Sequence, residues 1–198
     1  MASLAESHGC YSTTAQAKWA SRATHKKFPS EVMDAVRSAI PLDFTVIDIG
    51  ATIGWMTAHL KAAGYNIVGI DGSDGIEELS GGLVTHLDLV SDDCSHLFGK
   101  FDWGLFLDVG EHIPPELETA AIDNVARIPS IGLIVSWNSW DDSRAFHVNL
   151  RDKPYVVNLF ESRGWQLDED RTGVYRLLIG RRRVRRLQPL VFMKAQCK

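Results

Sequence analysis

The chain has 198 residues, 45% hydrophobic and 23% charged, with a net charge of −4, which suits one globular domain with a real core and gives no overall pull toward nucleic acid. No apolar run approaches the ~20 residues needed to cross a bilayer, and the N-terminus lacks a basic region followed by an apolar core, so no signal peptide is expected. Cys10, Cys94 and Cys197 are scattered; they form neither a disulfide framework nor a zinc pattern, and a reducing, cytoplasmic setting is the expectation.

Residues Thr13 to Lys27 are polar and alanine-rich around Trp19 and read as a helix. Ser30 can cap a second helix, Glu31 to Ile40, with Val32, Val36 and Ile40 on one face and Pro41 closing it. Together these predict a helical cap segment at 1–41, ahead of a main domain at 42–198. The first strand is Phe44 to Ile49. A helix follows from Ile53 to Ala63, with Ile53, Met56 and Leu60 on one face and Gly64 as its stop. Asn66 to Ile70 is the second strand. A short helix follows Ser73, and Gly81-Gly82 breaks it. Leu83 to Leu89 reads as a third strand and Phe101 onward as a fourth. Pro114-Pro115 starts a helix whose apolar stripe is Leu117, Ala121, Val125 and Ile128. Gly132 to Trp137 is a continuous apolar run, the mark of a strand covered on both faces. A long loop carries Asn138 to Leu150. The chain then predicts a helix at Lys153 to Ser162, a strand at Trp165 to Asp168, a turn at Asp170 to Gly173 and a last strand at Leu190 to Lys194. Strands alternating with crossover helices imply a parallel sheet. A last strand reached without a full crossover helix implies an antiparallel addition.

The most informative stretch is Val46-Ile47-Asp48-Ile49-Gly50-Ala51-Thr52-Ile53-Gly54, followed by Ile67-Val68-Gly69-Ile70-Asp71. An apolar strand enters a glycine turn, and a helix leads to a second strand ending in an acid. That is a β-α-β unit for a nucleoside-bearing cofactor. Gly50 and Gly54, without Cβ atoms, let the backbone turn sharply and approach a ligand. Asp71 stands where such folds place a carboxylate for ribose hydroxyls. The dinucleotide fingerprint G-x-G-x-x-G fails here, with Thr52 and Trp55 in place of its second and third glycines, which argues against NAD or FAD.

The pattern Asp48-x-Gly50-x-Thr52-x-Gly54 resembles motif I of the class I S-adenosylmethionine-dependent methyltransferases, with Thr52 replacing the middle glycine. The run from Phe101-Asp102 through Asp108-Val109-Gly110-Glu111-His112-Ile113-Pro114 resembles motif IV of small members of that family, and the likeness spans roughly residues 44–195. The resemblance implies an α/β, Rossmann-like fold. Its seven-stranded sheet is mostly parallel with the last strand antiparallel, and helices cover both faces. It also implies S-adenosyl-L-methionine as cofactor.

What the resemblance implies for single residues follows from the strand tips. Asp48 would face the cofactor's ammonium group, or else organise the glycine turn. Gly50, Ala51, Thr52 and Gly54 would form that turn. Asp71, followed by Gly72 and Ser73, would accept both ribose hydroxyls, or else cap the next helix. Asp88 would accept from the adenine amino group, with Leu87 or Leu89 against the ring. Asp108 and Val109 would lie near the methionine end, with Asp108 a catalytic candidate close to where the methyl leaves, or else a strand-end cap. Among catalytic candidates His112 is the foremost base, since an unshifted imidazole near pKa ~6.5 suits proton removal; Glu111-His112 would otherwise be a capping and packing pair. His147, in Phe146-His147-Val148-Asn149, would touch substrate or order its loop. His8, His25, His59, His86 and His96 have no constellation and read as surface or satisfied core groups. Trp137, Trp140 and Phe146 would wall a flat acceptor pocket or pack in the core.

Asp108 with Asp141 and Asp142 has the oxygen chemistry for Mg²⁺, but their spacing is loose and no metal is assigned. The run Arg181-Arg182-Arg183-Val184-Arg185-Arg186 would bind RNA phosphates or form a solvated face. A cap 2′-O-methyltransferase would carry a lysine at the end of the fifth strand, where Trp137-Asn138 stands. The sequence reading is methyl transfer to an oxygen or nitrogen of a small-molecule acceptor. An RNA methyltransferase and a non-catalytic binding protein of the same fold are the alternatives.

Overall fold

Runs rich in valine, isoleucine, leucine and phenylalanine form the strands: β1 (Thr45–Ile49), β2 (Asn66–Asp71), β3 (Val84–His86), β4 (Phe101–Leu107), β5 (Pro129–Ser136), β6 (Trp165–Leu167) and β7 (Leu190–Lys194). The helices are α1 (Ser30–Ala39), α2 (Trp55–Ala62), α3 (Ile76–Leu79), α4 (Glu118–Val125), α5 (Lys153–Glu161) and α6 (Glu169–Ile179). This computed structural model describes residues 7–10, 30–140, 147–180 and 188–195. The predicted helix Thr13 to Lys27, the Arg181 to Arg186 run, and Asp141, Asp142 and Phe146 lie outside the described residues.

All seven strands share one sheet in the order β3-β2-β1-β4-β5-β7-β6. The pairs β1–β2, β1–β4, β2–β3 and β4–β5 are parallel. β7 enters antiparallel between β5 and β6. The order reverses at β1, whose two neighbours lead away in opposite directions, and a crevice opens there at the carboxyl ends of the strands.

The central strands bury both faces, as their unbroken apolar runs require. One face packs Ile47, Ile49, Phe106, Leu133 and Val135 against Ala121, Ile122 and Val125 of α4 and Val156 and Phe160 of α5. The other packs Val46, Leu105, Ile134 and Val191 against Val32 and Val36 of α1, Leu60 of α2, and Tyr175 and Ile179 of α6. Side chains alternate along a strand, so Asp48 shares the α2 side of the sheet with Val46 and Leu60. That placement decides its role.

Two expectations change. The predicted turn at Asp170 to Gly173 is the start of α6. Asp168 caps this helix by accepting the Arg171 N–H at 2.8 Å. Gly173 costs such a helix about 1 kcal/mol, which burial of Tyr175 and Ile179 offsets. A helix therefore does precede β7, although the strand is antiparallel as expected. The third strand is shorter than Leu83 to Leu89. It ends at His86, and the chain then turns with the Asp88 N–H bonded to Asp92 at 2.7 Å. Among the described residues no helix is long and apolar enough to cross a membrane.

Candidate functional site

The crevice at the switch point is lined from the tips of β1, β2, β3 and β4, where open α/β sheets bind their ligands. Gly50, Thr52, Asp71, Gly72, Ser73, Asp88, Leu89, Asp108, Val109 and His112 all line it. The fold thus brings most of the sequence-predicted residues into one place.

The turn after β1 shows why its residue types matter. Gly50 has φ 77°, a left-handed conformation that costs an L side chain about 1–2 kcal/mol. A Cβ on Gly50 would also sit 2.4 Å from Val109 Cγ2. Thr52, in the place of the motif's middle glycine, has φ 51°. Its strained backbone is held because its N–H donates to Asp71 Oδ2 at 2.8 Å. Asp71 Oδ1 accepts the Ser73 N–H at 2.9 Å. Two main-chain donors therefore fix this buried carboxylate in the crevice wall, each taking one of the lone-pair sites its oxygens offer.

Three expected cofactor residues do not line the crevice. Asp48 is 5% exposed, and its Oδ2 accepts the Thr57 hydroxyl of α2 at 2.7 Å. It braces β1 against α2, because alternation turns it to the α2 side. Burial pushes its carboxyl up to about 6; the Thr57 hydrogen bond opposes that rise and the nearby Asp71 adds to it. Ala51 packs with Ile76 and Val84. Gly54 (φ 83°) leaves room for Leu83 and Val84, which a Cβ would meet at 2.8 Å. Its missing side chain serves helix–strand packing.

Asp88 has an unforeseen partner. His8 Nδ1 lies 2.6 Å from Asp88 Oδ2, and the Val90 N–H donates to Asp88 Oδ1 at 2.8 Å. Burial raises the Asp88 carboxyl, but hydrogen bonds from His8, Val90 and Ser91, with the charge of His8, outweigh it and hold the group below its usual range. His8, Gly9 and Cys10 line the crevice. Gly9 lies so close to the other wall that a Cβ would fall 2.1 Å from the His112 carbonyl oxygen. His8, read from sequence as a surface or core group, is part of the site. A contact across 80 positions leaves no local signal.

The far end is built around β4 and β5. Asp108 has φ 56°. Its N–H donates to Ser136 Oγ at 2.9 Å and its Oδ1 accepts the Ser136 hydroxyl at 2.7 Å. The 3₁₀ turn Gly110–His112 follows. His112 meets His147 edge to face, with ring centroids 4.9 Å apart, so the two histidine candidates are neighbours. The His147 segment is tied down by the Val148 and Asn149 N–H groups, which donate to the Glu111 carbonyl at 2.9 and 3.0 Å. Behind it, Glu118 Oε2 accepts from Asn149 Nδ2 at 2.8 Å and Arg151 Nε at 3.1 Å, and the Tyr155 hydroxyl donates to Glu118 Oε1. Burial raises the Glu118 carboxyl. These three donors and the Arg151 charge outweigh it and hold the group low. Trp137 does not wall the crevice. It packs on Phe106 at 6.3 Å, and its Nε1 donates to the Asn149 carbonyl at 2.7 Å. Trp140 is exposed.

No protein-family model matches the chain, and no curated protein matches it in sequence. Solved structures do match. A magnesium protoporphyrin IX methyltransferase from Synechocystis with bound S-adenosylhomocysteine has TM-score 0.67 and 16% identity, over 92% of this chain and 95% of that one. A TehB-like SAM-dependent methyltransferase from Corynebacterium glutamicum has TM-score 0.66 and 14% identity, over 92% and 99%. A 1,6-didemethyltoxoflavin-N1-methyltransferase from Burkholderia thailandensis, bound to its namesake substrate and S-adenosylhomocysteine, has TM-score 0.63 and 13% identity, over 92% and 85%. The chain has the fold of the class I S-adenosylmethionine-dependent methyltransferases. Fold alone does not decide chemistry, which lives in the site.

Proposed function

We propose that the protein transfers a methyl group from S-adenosylmethionine to an oxygen or nitrogen of a small-molecule acceptor. The observation that carries this reading is the ordered set of strand-tip acids, Asp71, Asp88 and Asp108, around one crevice at the switch point. The residues fit the cofactor's chemistry. Asp71, fixed by Thr52 and Ser73, has lone pairs left for ribose hydroxyls. Leu87, Leu89, Val90 and Ile113 give the crevice apolar wall for an adenine ring. Gly50, Gly72, Ser73 and Val109 shape the path between them. The acids favour a cationic ligand over a pyrophosphate, which agrees with the missing dinucleotide glycines.

The cofactor supplies a methyl carbon already activated by a sulfonium charge. The chain's task is then positioning, which can supply roughly 7–11 kcal/mol when reactants are aligned. Asp108, pinned by Ser136, stands at the methionine end. His112 and His147 mark the acceptor end, where an imidazole takes the acceptor's proton if it still holds one.

The test is product detection. The purified chain is incubated with labelled methyl donor and a panel of phenols, hydroxylated acids, N-heterocycles and short RNAs. Label transfer to a small acceptor with release of S-adenosylhomocysteine is the expected result. Transfer to RNA, weakened by salt, would replace the acceptor class. Cofactor binding with no transfer to any acceptor would point to the non-catalytic alternative.

A further inference from the structure

Glu111, His112 and His147 each offer one ligand atom, and these atoms all lie within 4.8 Å of one another. They come from two segments, Glu111-His112 and the stretch carrying His147, that are clamped main chain to main chain. The Glu111 carbonyl accepts the N–H groups of Val148 and Asn149, the two residues after His147. The Glu118 network holds Asn149 from behind. Glu111 is 1% exposed, whereas His112 lines the crevice. The cluster therefore joins a buried carboxylate to a residue of the crevice wall.

We propose that Glu111, His112 and His147 bind a first-row transition-metal dication, of the Zn²⁺, Co²⁺ or Mn²⁺ kind, at the acceptor end of the crevice. Two imidazoles and one carboxylate select such ions; Mg²⁺ and Ca²⁺ prefer all-oxygen sets. Bonds of about 2.0–2.2 Å bring ligand atoms to about 3–3.5 Å from one another, so the three side chains draw in by roughly 1–2 Å on binding. Three protein ligands leave a coordination position open.

The role of this ion rests on the methyl-transfer reading; its binding does not. An acceptor hydroxyl held at the open position loses its proton to water at a lower pH than in solution. Its oxygen lone pair then forms the bond to the methyl carbon as the carbon–sulfur bond breaks, with that electron pair remaining on sulfur. The site thereby turns the choice between oxygen and nitrogen acceptors toward a hydroxyl. With the ion bound, the imidazoles act as ligands and the proton leaves to water; an imidazole takes it only in the metal-free chain.

The test uses the full chain, stripped with a chelator and titrated with Co²⁺ alone, read by visible absorption. S-adenosylhomocysteine binding is measured by calorimetry on the same preparation. One Co²⁺ per chain is expected, with ligand-field bands and an affinity that falls about 100-fold in His147→Ala and in Glu111→Gln. His147→Ala changes a partly exposed position and keeps the test valid should Glu111→Gln fail to fold. Absent Co²⁺ binding, or equal binding by wild type and His147→Ala, overturns the proposal. Cofactor-product binding without Co²⁺ binding removes the metal and leaves the methyl-transfer reading standing. Co²⁺ binding that His147→Ala abolishes, without cofactor-product binding, keeps the metal site and removes the methyl-transfer reading.

Discussion

The two ends of the crevice are built in different ways. The nucleoside end is a set of strand tips, and its central group, Asp71, is held by main-chain N–H groups of Thr52 and Ser73. The acceptor end is assembled from a turn after β4 and a segment before α5, joined through the Glu111 carbonyl and the Glu118 carboxylate. Main-chain N–H groups of two turns set the Asp71 geometry, and His8 reaches Asp88 from 80 positions away. The second end depends on a buried polar network, so removing a group far from the ligand changes it. The first end suits a constant ligand and the second a variable one.

The largest effect that would separate the two ends is on cofactor affinity. Asp71→Ala should weaken S-adenosylhomocysteine binding by at least about 100-fold, since hydrogen bonds to a charged group contribute about 1.5–3 kcal/mol each. His147→Ala should leave that affinity within about two-fold while slowing turnover. Equal losses in calorimetry would merge the two ends into one unit. Next comes Gly50→Ala, which meets Val109 and a left-handed backbone. A cost of at least about 2 kcal/mol, or roughly 4–8 °C in Tm, is expected. Adding Val109→Ala should recover the steric part and leave the backbone part.

A smaller effect tests the acceptor end. Glu118→Gln should cost about 1–3 kcal/mol and slow methyl transfer without changing cofactor affinity. The Glu118 carboxyl is held low in the folded chain. Its stabilising contribution is therefore present above the unfolded carboxyl's pKa and is lost as pH falls through the folded one. The variant's melting temperature should fall less steeply on acidification than that of wild type.

The smallest effect concerns Asp48, whose folded pKa is raised to about 6. Its contribution is complete below the unfolded pKa near ~3.9 and is lost as pH rises through the folded value. Asp48→Asn avoids that loss and should be more stable at pH 7.5 by about 1–2 kcal/mol, with the gap closing toward pH 4 in thermal melts. A destabilised variant with weaker cofactor affinity would return Asp48 to the ligand.

The nucleoside end was the legible one because its signals are local. A two-residue alternation, a glycine turn and an acid at a strand tip lie within one β-α-β unit. Asp48 bonds Thr57 of α2, as the alternation that sets Val46 and Asp48 on one face already indicated. The start of α6 was obscured by Gly173, while Asp168 followed by Glu169 and Asp170 carried a cap and an acidic first turn. The acceptor end was half legible. His112 and His147 stood out as residue types, but their meeting, and the gathering of Glu111 with them, depends on main-chain hydrogen bonds between distant segments. The contact of His8 with Asp88 has no periodicity or motif behind it.

The most direct test of the central claim, that this crevice holds S-adenosylmethionine, is a thermal-shift comparison of wild type and Asp71→Ala with S-adenosylhomocysteine and with NAD⁺. At 100 times Kd a ligand stabilises by about 2.7 kcal/mol, roughly 5–10 °C for a chain of this size. The account predicts that rise for wild type with S-adenosylhomocysteine, none with NAD⁺ and none for Asp71→Ala. No rise at millimolar S-adenosylhomocysteine, or a rise with NAD⁺ instead, would contradict it.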